Sequence, residues 1–81
     1  MNFIDTLAAL RPLASIRATA NGPRVGFLMA DITRALGSLA AASDAVVVLL
    51  AEGFMDAEPV VIGDEVVTLY RLTDQEPPAV H

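Results

Sequence analysis

The chain has 81 residues, ten acidic side chains against five arginines, no lysine, and a formal net charge of −5. That length holds one small domain, and an apolar share of 54% supplies a core without covalent staples. With no cysteine, disulfides and thiolate metal sites are excluded, and with one histidine, the terminal His81, a three- or four-ligand zinc site is not expected.

The charge is unevenly spread. Residues 1–40 hold Arg11, Arg17, Arg24 and Arg34 against Asp5 and Asp31, whereas residues 41–81 hold Arg71 against eight carboxylates. An acidic half of this kind repels a nucleic-acid backbone. No cationic start precedes an apolar run, and the longest such run, Ala45 to Ala51, is far too short to cross a bilayer. A cytoplasmic protein with no membrane partner is expected.

Residues 2–10 predict a first helix. Asn2 is a capping residue, Asp5 suits the positive end, and Phe3, Ile4, Leu7, Ala8 and Leu10 form a wide apolar stripe. At Pro12 the helix either breaks at Leu10–Arg11 and restarts, or continues with a kink. Leu13, Ile16 and Ala20 keep helical spacing, so helix is expected to about Ala20, with Asn21-Gly22-Pro23 as its stop. Arg24-Val25-Gly26 reads as a short extended link or one sheet-edge strand. A helix then runs from about Phe27 to Leu36, although Phe27, Leu28 and Met29 fit a strand end equally well. Gly37 stands where a left-handed C-cap belongs, and Ser38 is the N-cap of a second, longer helix ending at Gly53. Phe54 is expected to turn back onto the core. A short helix, a glycine turn and a longer helix make a helix-turn-helix.

Met55 to Pro59 reads as a polar connector. Val60-Val61-Ile62 and Val66 to Leu72 are β-branched-rich runs separated by Gly63-Asp64-Glu65, a hairpin signal. The tail, residues 74–81, holds two prolines and reads as disordered, leaving one domain over residues 1–73.

This order of elements resembles the winged-helix family. Ala30-Asp31-Ile32-Thr33-Arg34-Ala35-Leu36-Gly37 is similar to the second helix and turn of bacterial winged-helix regulators. Glu52-Gly53-Phe54 resembles the end of their recognition helix, and Val67 to Thr73 their returning wing strand. The resemblance covers residues 28–73. It implies an α+β, mainly α fold: three to four helices followed by a two-stranded β-hairpin wing. It also implies a third helix that enters the major groove. Counted back from Gly53, core-facing positions fall on Ala42, Val46 and Leu49. Groove-facing positions fall on Ala40, Ala41, Asp44, Ala45 and Val48.

Those side chains depart from a DNA reader. Base edges are read by arginine, lysine and amide or hydroxyl side chains, and no residue from Ser38 to Ala51 is basic. The wing tip offers Asp64 and Glu65. Only Arg24, Arg34 and Arg71 remain as candidate nucleic-acid contacts. Leu39, Ala42, Val46, Leu49 and Leu50 suffice for a core stripe, which leaves Ala40, Ala41, Ala45, Val47 and Val48 for another surface. A helix apolar all round is covered all round, here by the N-terminal helix, by a second copy or by another protein.

The carboxylate pairs Asp64-Glu65 and Asp56/Glu58 lie in turn and connector positions, where carboxylates are ordinarily solvated, and the glycines are scattered as caps and turns. No enzyme, cofactor, metal or small-molecule substrate is indicated. The expected function is a non-enzymatic protein-interaction module, with Ala40, Ala41, Asp44, Ala45, Val47 and Val48 as its interface. It would be a dimeric accessory regulator or a small, phage-type inhibitor of a host protein. The alternative is a DNA-binding transcriptional regulator.

Overall fold

The structure, a computed structural model, describes residues 3–73. Capping by Asn2 and the expected tail at 74–81 lie outside the described residues. Three α-helices and two antiparallel hairpins alternate along the chain: α1 (Phe3–Leu10), a 3₁₀ turn (Arg11–Leu13), β1 (Ser15–Thr19), β2 (Gly22–Gly26), α2 (Met29–Leu36), α3 (Leu39–Ala51), β3 (Met55–Ile62) and β4 (Glu65–Leu72). Helix and strand are therefore close to balanced. This corrects the expectation of a mainly helical winged helix with a single hairpin after the helices.

The correction lies in residues 14–26. The helix breaks at Leu10, Pro12 sits in the 3₁₀ turn, and no helix resumes. Ile16 and Thr19 are β-branched, and Asn21-Gly22 is a hairpin signal as much as a helix stop. Thr19 pairs with Gly22, so Ala20 and Asn21 form the loop. Gly22 supplies the positive φ, +101°, that closes it. The Thr19 hydroxyl donates to the Gly22 carbonyl at 2.6 Å and accepts the Asn21 N–H at 3.2 Å.

The second hairpin is longer than its β-branched runs suggest, because β3 begins at Met55 and includes Pro59. The Val61 carbonyl points to the outer edge, where it accepts the Ala20 N–H at 2.9 Å. Pro59, two residues earlier, shares that orientation, so its missing N–H falls on the edge away from β4. Gly63, φ +63°, opens the two-residue turn.

Alternation along β3 and β4 gives the sheet two covered faces. Met55, Tyr70 and Leu72 join the helical core of Leu10, Phe27, Ile32, Ala42, Val46 and Leu49. Val60 and Leu69, also buried, turn to the other face, where β1–β2 lies. Phe27 and Tyr70 exchange two backbone hydrogen bonds of 2.8 Å. Gly26 sits so close that an added Cβ would stand 2.6 Å from the Tyr70 carbonyl oxygen. Glycine at 26 is thus fixed by close approach, not by turn geometry.

Asp31 ties the first hairpin to α2. Its carboxylate accepts the Leu28 N–H at the helix start, 3.0 Å, and the Arg17 guanidinium from β1, 2.7 Å. α2 ends at Gly37, φ +93°, whose N–H reaches the Thr33 carbonyl, and a turn of 113° leads into α3.

Candidate functional site on the outer face of the third helix

Local chemistry fixes both ends of α3, and hence which residues face out. At its start the Ser38 hydroxyl accepts the Ala41 N–H at 3.1 Å. At its end the Gly53 N–H reaches the Leu50 carbonyl and the Phe54 N–H the Leu49 carbonyl, a paired closure that requires the positive φ of Gly53. With the helix so framed, Ala42, Val46 and Leu49 are its buried residues, as the spacing from Gly53 implies. Leu39 is 61% exposed, and Leu50 and Phe54 are also exposed, which corrects their expected place in or against the core.

The six expected interface residues lie outside the buried stripe of α3. Val47 is 66% exposed and Val48 48%. Ala40, Ala41 and Asp44 are exposed and Ala45 half-buried. Among the described residues α1 packs mainly against α2 and reaches this face at Thr6, beside Ala41, Ala45 and Val48. Of the three possibilities open from sequence, cover by the described part of the N-terminal helix leaves Val47 and Val48 exposed.

α1 forms the far wall of a groove instead. Ala41, Ala45 and Val48 make one side, Leu49 the floor, and Thr6 of α1 and Leu36 of α2 the other walls, around about 410 Å³. Asp44 stands at its edge as the single charged lining residue. At 100° per residue Ala40 and Val47 lie further round the helix, outside the groove. Thr6 and Leu36 are the residues that sequence reasoning missed. Nothing in the α1 pattern signals where that helix docks.

Of the three candidate nucleic-acid contacts, Arg24 and Arg71 meet carboxylates two residues apart on one face of β3, while Arg34 lies on α2. Arg24 on β2 pairs with Glu58 at 3.7 Å, Arg71 on β4 with Asp56 at 3.2 Å, and Arg34 on α2 lies 4.0 Å from Asp31 with its side chain 80% exposed. The same pairs account for Asp56 and Glu58, while Asp64 and Glu65 sit at the tip of the second hairpin. Among the described residues no three histidine or acidic side chains gather as a metal site. No single helix is long and apolar enough to cross a membrane. No protein-family model, curated protein or solved structure matches the chain.

Proposed function

We propose that this protein is a non-enzymatic, cytoplasmic protein-interaction module that works through the outer face of α3, as an accessory regulator or as a small inhibitor of another protein. The observation that carries this reading is the exposure of Val47 and Val48 on a helix whose core stripe is already complete. Covering each valine contributes roughly 1.5–3 kcal/mol before association costs. A surface of apolar side chains beside a preformed groove matches the composition of protein contacts, which are depleted in charge at their centre.

A duplex-binding regulator is the rival. The 113° turn between α2 and α3 and the exposed Arg34 favour it. The face that would meet base edges carries alanine, valine and Asp44, and each candidate arginine already neighbours a carboxylate.

A matched pair of substitutions tests the proposal. Val48→Asp is expected to leave the thermal transition nearly unchanged and to abolish retention of protein partners from nuclease-treated cell extract by the immobilised chain. Val46→Asp places a charge at a site 5% exposed and is expected to unfold the domain, a loss of roughly 4 kcal/mol or more. Retention that survives Val48→Asp, or that disappears with nuclease, contradicts the proposal.

A further inference from the structure

The groove beside α3 carries a preference for one kind of occupant, resting on the proposal that this face binds protein. Ala41, Ala45 and Val48 follow one another at spacings of four and three, a stripe about 10 Å long at 1.5 Å per residue. That length and spacing match the i, i+4, i+7 apolar stripe of a partner helix. Two of the three residues are alanine, so the partner's backbone can approach closely.

Charge decides between occupants. Asp44 is the only ionisable side chain within α3, and among the described residues no hydrogen bond or ion pair engages its carboxylate. A second copy brought face to face through α3 would set two such carboxylates in one apolar contact, between chains that each carry −5. The chain's own residues 74–81 would add Asp74 and Glu76. Both fit poorly. A cationic side chain fits well, because it completes the one open charge at the rim.

We infer that the groove formed by Thr6, Leu36, Ala41, Ala45 and Val48 receives a basic amphipathic helix of another protein, whose lysine or arginine pairs with Asp44. The partner is thus a protein with a cationic helical surface, and Asp44 sets the specificity.

Titration with a synthetic helical peptide tests this. The probe is about 16 residues long, with leucines at i, i+4 and i+7, lysines at a few flanking positions and alanines elsewhere, and its control replaces each lysine by glutamate. The lysine peptide is expected to shift the backbone amide resonances of Ala41, Ala45 and Val48, and the glutamate peptide to leave them in place. Asp44→Asn is expected to weaken binding about three- to fivefold, while Asp64→Asn, the same charge change at the hairpin tip, has no effect. Failure of the lysine peptide to bind, equal binding of both peptides, or equal effects of the two substitutions overturns the inference. Equal binding at these same amides leaves α3 a protein-contact face. Resonance shifts confined to another surface count against both proposals.

Discussion

Asp31 shows how much one side chain can hold together in a domain this small. It caps α2 through the Leu28 N–H and anchors β1 through Arg17, whose ion pair is largely sheltered from solvent. Loss of a helix-start acceptor costs about 1 kcal/mol, and loss of a sheltered charged hydrogen bond adds a similar amount. Asp31→Ala is therefore expected to lower unfolding stability by about 1–3 kcal/mol in urea titration. Asp31→Asn keeps an oxygen for the Leu28 N–H and is expected to lose about half as much. An equal loss for both would mean that the ion pair, not the cap, carries the effect. Gly26 acts at the same scale by having no side chain. In Gly26→Ala the new Cβ meets a backbone oxygen that only a shift of β4 could relieve, so a loss of about 1–3 kcal/mol is expected by thermal melting. An unchanged melting temperature would show that β2 and β4 separate readily.

Among the elements, α3 was legible and the first hairpin was not. Ser38 and Gly53 pin the two ends of α3, and once the ends are fixed a period of 3.6 residues assigns Ala42, Val46 and Leu49 inward. Ile16 and Ala20 happen to stand at helical spacing, and Asn21-Gly22 terminates a helix or turns a hairpin with equal ease. What decides is tertiary: the second face of β3–β4, carrying Val60 and Leu69, needs a cover, and β1–β2 provides it. The candidate site divides the same way. Ala41, Asp44, Ala45 and Val48 were legible as the outward arc of one helix. Thr6 and Leu36 were not, because a groove between helices depends on a docking angle that no local spacing encodes.

At the scale of the molecule, a β1–β2 layer, a two-stranded sheet and a helical layer leave the outer arc of α3 as an apolar surface beside a groove. The arginines of β1, β2, α2 and β4 each lie against a carboxylate, Arg17 and Arg34 at Asp31, Arg24 at Glu58 and Arg71 at Asp56, so the positive charge that a phosphate backbone would need is already opposed. Duplex DNA binding at physiological salt is accordingly expected to be undetectable by fluorescence anisotropy. Tight binding that Arg34→Ala abolishes would favour the rival regulator. The most direct measurement places a photoactivated benzophenone side chain at position 48, and for comparison at position 58, in cells that express the protein. From position 48 the account predicts a covalent adduct with protein, insensitive to nuclease, suppressed by excess wild-type chain and unaffected by excess Val48→Asp. Adducts with nucleic acid alone, or the same protein adducts from both positions, would contradict it.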